Sequence, residues 1–387
     1  MTAAPDVTRA EIVVDVGAIG RNVGRLSELV SKDLPDGVEA PAMMVVVKAD
    51  GYGHGLVESA RAARAAGAQW LGVTTAGEGL ALRAAGDQGR VLSWLAVPGE
   101  DLGAAIASGI DVAAYSVDQL AEIVAASGDR TASVHLKVDT GLSRGGAARE
   151  DWVSLFAAAR RAEIAGDLSV VGLWSHLACS DEPDHPANDQ QEAAFREALE
   201  LAGDTGLTPV VRHLANSAAA VLRPSSRFDL VRVGIAAYGL SPAPTVVSSA
   251  QLGLVPAMTV RGRVVMGKDL AAGAGVSYGH TFVADLPMHV ALVPMGYGDG
   301  VPRHASSTAA VQIRGRRCPV LGRICMDHFV VASADAEAGD EVVLFGPGAD
   351  GEPTAQDWAD WCGTISYEIV TRMGGNAGRA ERRWVSS

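Results

Sequence analysis

Cysteine is scarce in this sequence. Only four of its 387 residues are cysteines, and no two of them form a C-x-x-C pair. A disulfide-stabilised fold uses more cysteines in a shorter chain, and a structural zinc site uses closely spaced ligands. We therefore expect neither a disulfide framework nor a bound metal ion.

Long apolar runs are also missing. No uninterrupted run approaches about 18 apolar residues, the length that a membrane-spanning helix requires. The opening segment, MTAAPDVTRAEIVVDV, contains neither the basic cluster nor the apolar core of a signal peptide. These features predict a cytoplasmic protein that does not enter a membrane, because few disulfides form in that reducing compartment.

Positive charge is in deficit. The sequence has 32 lysines and arginines against 45 aspartates and glutamates, and its formal net charge is -13. Binding of nucleic acid depends on basic surfaces that neutralise phosphates, so this balance argues against a nucleic-acid partner. The hydrophobic content of 48% is ordinary for a globular protein, and the length allows two domains.

Short apolar segments alternate with alanine-rich segments from residue 42 to residue 235. The apolar segments are typical of strands buried on both faces, and the alanine-rich segments favour helices. Repeated strand–helix units indicate an α/β architecture with parallel strands, and their number favours a closed (β/α)8 TIM barrel over an open sheet. The predicted strands are Met43–Val47, Trp70–Val73, Val91–Leu95, Val134–Val138, Val170–Trp174, Val210–Leu214 and Leu230–Val233. The predicted helices include Leu56–Ala66, Glu78–Ala85, Asp118–Ala126, Trp152–Ala162 and Glu192–Ala202.

The pattern changes in the last third of the chain. The alanine-rich stretches end, and short strand-like segments follow one another between glycine-containing turns. This pattern predicts a mostly-β second domain, joined to the barrel through a linker at Ser241–Ser249. The predicted strands are Met258–Met266, His289–Val293, Ala310–Ile313, His328–Ala332 and Glu341–Leu344.

Polar side chains follow the predicted barrel strands, at the end of a barrel where active sites lie. They include Lys48, Tyr52, His54, Arg144, His176, Asn216, Ser217, Arg232 and Gly234. Taken singly, such residues are more often structural, because a strand-end lysine is usually solvated and an arginine usually forms a surface ion pair. Their shared position on one rim is improbable by chance. It predicts a cationic site that binds a phosphate or a carboxylate.

The segment VVVKADGYGHG resembles the pyridoxal 5'-phosphate (PLP) lysine signature of the alanine racemases. Eight further segments resemble motifs of that family in the same order: KVDTGLSRGG, GLWSHLACSDEPD, HLANSAAA, VRVGIAAYGLSP, VSYGHTF, MGYGDGVPR, GRICMDHFV and TISYE. The resemblance implies a barrel at 17–248, a C-terminal β domain at 249–387 and an N-terminal strand within 1–16 that joins the β domain. It also implies interconversion of L- and D-alanine, which supplies D-alanine for peptidoglycan.

The resemblance implies two catalytic bases. Lys48 would carry PLP as a Schiff base and act on one face of the substrate Cα, and Tyr278 would act on the other face. The family supplies this tyrosine from the neighbouring subunit, which implies a homodimer with shared active sites. His176 and Arg232 match a hydrogen-bonded pair that polarises the tyrosine. Arg232 would also face the pyridine nitrogen of PLP and, since it stays protonated, would donate to it.

Cofactor contacts are implied in the same way. The cofactor-binding residues would be Lys48, Tyr52, His176, Asn216, Ser217, Arg232, Gly234, Ile235 and Tyr367. Tyr52, Tyr367, the Ser217 hydroxyl and main-chain N–H groups near Ser217, Gly234 and Ile235 would hold the phosphate.

The substrate contacts come from both domains. Arg144 would contact the phenolic oxygen of PLP and the substrate carboxylate, and the main-chain N–H of Met326 would complete the carboxylate site. Tyr297 and Tyr367 would narrow the entrance. Lys137 matches a lysine that is carbamylated in many family members; the alternative is a plain lysine neutralised by an anion.

Three other assignments stay open. A PLP decarboxylase of basic amino acids shares the barrel, but Arg232 and the pair of Lys48 and Tyr278 argue against it. A PLP carrier without turnover would leave the β domain unexplained. A racemase that also accepts serine is compatible with the sequence, because a pocket discriminates poorly against one added hydroxyl.

Other chemical signals are weaker. The SDEPDHP segment holds Asp181, Asp184 and His185, but a polar, proline-rich loop is more simply solvated than metal-bound. GAGVSYG mimics part of a dinucleotide fingerprint, but its last glycine comes one residue late and it lies in β-rich sequence. Cys325 has no evident base beside it, so we expect a packed side chain and not a nucleophile.

Overall fold

The chain is described by a computed structural model over residues 8–32, 34, 39–373 and 379–387. The first seven residues of the predicted N-terminal segment, 1–16, lie outside the described residues. Within the described part, no helix combines the length and the apolar character needed to cross a membrane.

Eight parallel strands form a barrel in the first part of the chain, after an N-terminal strand β1 (Ala10–Asp15). They are β2 (Ala42–Val46), β3 (Trp70–Val73), β4 (Arg90–Ser93), β5 (Asp111–Ala114), β6 (Ala132–Lys137), β7 (Leu168–Trp174), β8 (Val211–His213) and β9 (Leu230–Val233). Pairing runs continuously from β8 back to β2 and then to β9. At the seam between β8 and β9, Asp229 N–H donates to Arg212 C=O at 3.1 Å and Arg232 N–H donates to Ala215 C=O at 3.0 Å. The predicted (β/α)8 barrel is confirmed.

Helical segments follow the barrel strands, and several of them begin at a side-chain cap; the segment Lys48–Tyr52 is a left-handed turn at the rim. They are α1 (Val16–Ser31), α2 (Lys48–Tyr52), α3 (Leu56–Ala65), α4 (Ala76–Ala84), α5 (Gly103–Ala107), α6 (Val117–Ser127), α7 (Trp152–Ala165), α8 (Ala187–Asp204), α9 (Ser217–Leu222) and α10 (Ser249–Leu252). Asp15 caps α1 by accepting from Ala18 N–H, and Thr75 with Glu78 forms a capping box on α4. Each cap satisfies a main-chain donor that the first helical turn leaves free.

The second part of the chain is mostly β, as predicted. Its strands are β10 (Met258–Arg263), β11 (Met266–Leu270), β12 (Gly275–Val276), β13 (Phe282–Val283), β14 (Met288–Val293), β15 (Ala310–Ile313), β16 (Arg316–Leu321), β17 (Phe329–Ala332), β18 (Glu341–Phe345) and β19 (Glu381–Val385). Two helices follow β18: α11 (Ala355–Cys362) and α12 (Ser366–Met373). Strand β1 enters this sheet between β10 and β19, antiparallel to the first and parallel to the second. The N-terminal strand therefore joins the β domain, as the resemblance implies.

Two details differ from the sequence-based prediction. The segment Met258–Met266 is not one strand: β10 ends at Arg263, and β11 begins at Met266. Between them, Val264 N–H donates to Asp340 C=O and Val265 N–H donates to Leu292 C=O, so the chain changes its pairing partners there. Strand β5 was also missed, because DVAA is short and carries only one strongly strand-forming residue.

Candidate active site

A cavity of about 320 Å³ opens at the carboxyl ends of the barrel strands. It is lined by Val46, Lys48, Tyr52, Trp94, Lys137, Arg144, Trp174, His176, Asn216, Ser217, Arg232, Gly234, Ile235 and Tyr367. All but Tyr367 come from the barrel, and Tyr367 comes from α12. Every site residue expected from the sequence lines this cavity except Tyr278, Tyr297, Met326 and His54, which is buried behind the turn.

Four cationic side chains face this cavity, and no carboxylate is among the described residues that line it. Burial lowers the pKa of Lys48, and the nearby Arg144 lowers it further. Burial also lowers the pKa of Lys137 to about 8, with repulsion from Arg232 and Arg144 acting in the same direction. The site is therefore positively charged although the protein as a whole is acidic, and it favours an anionic ligand.

The Arg232 side chain is held on almost every side. Its terminal nitrogens donate to the carbonyl oxygens of His213, Ser175 and Leu214 at 2.9, 2.8 and 3.0 Å. They also lie 3.2 Å from Nδ1 of His213 and 3.2 Å from Nδ1 of His176. Among the described residues its Nε–H has no acceptor, so that donor is the one left for a ligand. The side chain is buried, and its pKa, lowered by burial to about 9, still leaves it charged at pH 7.

These contacts fix the protonation of His176. Because an arginine can only donate, Nδ1 of His176 accepts and its proton lies on Nε2. Burial, followed by repulsion from Arg232, places the pKa of His176 well below its usual value, so the ring is neutral. His176 therefore lines the cavity with an Nε2–H donor.

A chain of buried groups continues from Arg232 through the barrel interior. His213 accepts from Arg232 at Nδ1, so its Nε2–H donates to Nδ1 of His135 at 2.9 Å. His135 in turn donates from Nε2 to the Asp111 carboxylate at 3.4 Å. Asp111 begins β5 at the opposite end of the barrel, where Arg90 pairs with it at 2.9 Å. These hydrogen bonds assign one tautomer to each histidine, and they hold Arg232 from the side of the barrel opposite the cavity.

Lys48 begins a left-handed turn that runs through Tyr52. Ala49, Asp50 and Tyr52 have φ angles of 52°, 54° and 53°, and Gly51 between them has φ 61°. Left-handed conformations cost a non-glycine residue about 1–2 kcal/mol each, so this segment needs support from outside. The turn places the Lys48 amine and the Tyr52 ring in the same cavity.

The far end of the cavity offers hydrogen-bond donors without protein acceptors. Among the described residues, the Tyr52 and Tyr367 hydroxyls form no hydrogen bond, and their rings lie 6.1 Å apart. Burial raises the pKa of both phenols, so both keep their protons. The Ser217 hydroxyl accepts from Gly234 N–H at 2.8 Å, which leaves its own hydrogen free to donate. A Cβ at Gly234 would lie 2.4 Å from the Tyr52 hydroxyl, so this position requires glycine.

The loop that carries Arg144 is organised by one carboxylate. Asp139 Oδ1 accepts from the main-chain N–H groups of Gly141, Leu142 and Ser143 at 2.9, 3.0 and 3.2 Å. This loop presents Arg144 to the cavity, where its guanidinium forms no hydrogen bond to the described residues. Arg144 therefore keeps all its donors for a ligand, in contrast to Arg232.

Tyr278, Tyr297 and Met326 lie on the surface of the β domain. Their exposed fractions are 69%, 39% and 52%. They are grouped around the segment 323–326: Tyr297 N–H donates to Cys325 C=O at 3.0 Å, and Ser277, the neighbour of Tyr278, donates to Arg323 C=O at 2.6 Å. Within a single chain this group does not line the cavity.

Sequence reasoning missed two tryptophans of the cavity wall, Trp94 and Trp174. Trp174 stacks on His213 with ring centroids 5.4 Å apart, and the Lys137 amine lies 4.5 Å from its ring centre. Trp94 lies beside it at 6.1 Å and approaches the Lys48 amine at 5.7 Å. A large apolar residue at a strand end is indistinguishable in sequence from core, so no signal marked either residue.

Comparison with known proteins gives two family matches. The model described as "Alanine racemase, N-terminal domain" matches residues 14–242, and "Alanine racemase, C-terminal domain" matches residues 257–381. The chain belongs to the alanine racemase family. A curated alanine racemase of Thermobifida fusca is 52% identical over 369 residues, which cover 94% of this chain and 96% of that protein.

Solved alanine racemases share the whole fold. The crystal structure from the D-cycloserine producing Streptomyces lavendulae has a TM-score of 0.94 and 47% identity, with 98% of each chain covered. The alanine racemase of Bartonella henselae, described with covalently bound pyridoxal phosphate, has a TM-score of 0.85 and 27% identity over 97% of this chain and 99% of that one. The family assignment and the two-domain architecture are therefore shown. Alanine racemases are isomerases, and the chain is an enzyme of that class.

Proposed function

We propose that this protein interconverts L- and D-alanine with PLP, in a homodimer whose active sites each use residues of both subunits. One observation supports this most strongly. The cavity combines an unpaired lysine with a lowered pKa, a charged arginine with one free N–H, and a pocket of donors without acceptors. An aldehyde, a ring nitrogen and a phosphate are the three groups that such a set recognises.

The residues fit PLP at each of these groups. Lys48 has the nucleophilic amine that an aldehyde requires, because its pKa is lowered by burial. Tyr52, Tyr367 and Ser217 supply hydroxyl donors for the phosphate, together with main-chain N–H groups at the starts of α9 and of the short helix at Ile235. Bound there, PLP supplies an electron sink for the charge left on Cα when its proton is removed.

The protein moves the proton with two groups. Lys48, displaced by the amino group of the substrate, takes or returns the proton on one face of Cα. Tyr278 serves the opposite face, contributed by the second subunit. Arg144 has free donors for the substrate carboxylate, joined by the Met326 N–H of the second subunit, and Tyr297 narrows the entrance with Tyr367. The product would supply D-alanine for peptidoglycan in the cytoplasm.

Arg232 favours racemisation over decarboxylation or transamination. A buried arginine donates its Nε–H and cannot accept, so a ring nitrogen facing it stays unprotonated. A carboxylate at this position would instead stabilise a protonated ring and a long-lived carbanion. A charged Arg232 would weaken the electron sink that the bound cofactor supplies, which would favour return of the proton to Cα over decarboxylation or transamination.

Carbamylation of Lys137 is expected to rise with pH. Carbon dioxide reacts with a neutral amine, and the lowered pKa of about 8 gives Lys137 a growing neutral fraction as the pH rises through that value. In 13C NMR with labelled bicarbonate, we expect a carbamate signal that grows between pH 7 and pH 9 and is absent in Lys137→Arg. The exposed Lys268 provides the matched control, since Lys268→Arg leaves the signal in place. A signal that survives in Lys137→Arg would exclude this residue.

The proposed function is tested by α-proton exchange in D2O. Wild type, Lys48→Ala and the surface control Lys268→Ala are loaded with PLP and given L-alanine. We expect wild type and the control to form D-alanine by circular dichroism and to deuterate Cα, and Lys48→Ala to lose covalent PLP and turnover. If wild type attaches PLP at Lys48 and leaves L-alanine unchanged, the substrate is wrong, and a panel of larger amino acids distinguishes another racemase from a carrier protein.

A further inference from the structure

The turn that presents Lys48 is contacted from outside the barrel by the last strand of the β domain. Arg382 in β19 pairs with the Asp50 carboxylate and donates to Gly53 C=O at 3.2 Å. Trp384, two residues further on the same strand, donates from Nε1 to His54 C=O at 2.8 Å. Residues two apart on a strand share one face, so both side chains reach the turn together.

The turn is shaped to receive this strand. A Cβ at Gly55 would lie 2.8 Å from Trp384 Nε1, so only glycine permits the approach. The Asp50 carboxylate contacts two elements. One oxygen pairs with Arg382 in β19, and the other accepts from Leu56 N–H at 2.8 Å at the start of α3. Every side-chain hydrogen bond of Arg382 and of Trp384 with the described residues goes to the segment 50–54.

Support from within the barrel is limited. Glu78 accepts from Ala49 N–H at 2.8 Å, at the beginning of the turn only. Four consecutive left-handed residues, Ala49 to Tyr52, make up the turn, and their conformation is one that the chain does not adopt by local preference. Further restraint comes from the His54 ring, whose Nδ1 lies 3.0 Å from the carbonyl oxygens of Gly51 and Tyr52, and from α3, α12 and β19. Of these elements, β19 supplies the ion pair to Asp50.

We propose that Arg382 and Trp384 are positioning residues for Lys48: through Asp50, Gly53 and His54 they hold the left-handed turn that sets the lysine amine in the cavity. Neither side chain lines the cavity, so neither is a catalytic residue. The catalytic part of this proposal rests on the proposed function, because it assumes that Lys48 carries PLP. The structural part, that β19 restrains residues 49–55, is independent of the proposed function.

The test compares Arg382→Gln with Arg383→Gln. Arg383 is the next residue of the same strand, and it pairs with Glu11 at 3.3 Å, on the other side. Its loss disturbs β19 to a similar extent without touching the turn. Arg382→Lys keeps the charge opposite Asp50, and Trp384→Phe keeps the ring while removing the Nε1–H.

Hydrogen exchange in the cofactor-free protein gives a readout independent of activity. The amides of Gly51, Gly53, His54 and Gly55 donate to carbonyls of Val47, Ala49, Gly51 and Asp50 at 2.8–3.1 Å, so their protection reports the turn. We expect faster exchange of these amides in Arg382→Gln, a smaller increase in Arg382→Lys and in Trp384→Phe, and no change in Arg383→Gln.

Loaded enzyme gives the second readout. A small displacement of a catalytic group costs up to about 100-fold, so Arg382→Gln should lower kcat for alanine and the rate of covalent PLP attachment by about 10- to 100-fold. Arg382→Lys should recover part of both. Asp50→Asn combined with Arg382→Gln should lose less than the sum of the two single variants, because the two residues share one contact.

The outcomes separate the two proposals. If Arg382→Gln and Arg383→Gln behave alike, or if Arg382→Gln loosens the whole β1–β10–β19 sheet as much as the turn, the positioning role is wrong. If wild type fails to racemise alanine, the proposed function is wrong, and exchange at the turn amides still decides whether β19 restrains it.

Discussion

Tyr278→Phe is expected to lower racemisation strongly while α-proton exchange on one face of Cα continues. A positioned acid or base contributes about 10²- to 10⁴-fold, so turnover should fall by that range in both directions. Phenylalanine keeps the ring and removes only the hydroxyl. The exposed position of Tyr278 in the single chain makes a fold-wide effect implausible, so the visible absorbance of bound PLP should be unchanged.

The isotope pattern shows which face each base serves. By the family resemblance Lys48 acts on D-alanine and Tyr278 on L-alanine. The variant should therefore exchange the α-proton of D-alanine for deuterium and return D-alanine, while L-alanine gains no deuterium. We would measure both by mass spectrometry and circular dichroism, with Tyr115→Phe, which removes a half-buried phenol outside the cavity lining, as control. Deuterated L-alanine from Tyr278→Phe would mean that another group serves that face.

Two inactive variants are expected to restore activity when they share a dimer. Tyr278 does not line the cavity of its own chain. In the proposed dimer, each complete site would take Lys48 from one subunit and Tyr278 from the other. A Lys48→Ala subunit paired with a Tyr278→Phe subunit contains one intact site and one doubly defective site. Since half of randomly paired dimers are mixed, co-expression should recover about one quarter of wild-type activity.

A cis arrangement predicts the opposite result. If Tyr278 reached the cavity of its own chain, neither the pure nor the mixed dimers would contain an intact site, and activity would stay absent. Co-expression of Lys48→Ala with a chain that carries both substitutions is the control, since no pairing there assembles a complete site. Activity measured after separation of the differently tagged dimers should be found in the mixed species alone.

The barrel and most of its rim were predictable because the relevant information is local. Lys48, Arg144, His176 and Ser217 each follow a strand and Arg232 lies near the end of one, and parallel strands bring their carboxyl ends to one rim. The same reasoning works for any residue whose position depends only on which strand it follows.

What could not be predicted depends on partners distant in sequence. The hydrogen bonds from Arg232 through His213 and His135 to Asp111 need four strands in register and the tautomer of each ring. Arg382 meets Asp50 across 332 positions, and although Asp50 lies in the VVVKADGYGHG segment, nothing in the sequence links it to Arg382. The proposed role of Tyr278 requires a second chain, so it rests on the family resemblance and not on the position of Tyr278 along the sequence.

The two cavity arginines differ in a way that bears on inhibitors. The terminal nitrogens of Arg232 already donate to main-chain carbonyl oxygens. These hydrogen bonds would have to break before Arg232 could bind a new anion through those nitrogens. Arg144 can bind an anion without breaking existing bonds, because its guanidinium forms no hydrogen bond to the described residues. An inhibitor with a carboxylate or phosphonate group should therefore bind more tightly through Arg144 than through Arg232. Medicinal chemistry aimed at Arg232 would be limited to a single neutral acceptor that meets its Nε–H.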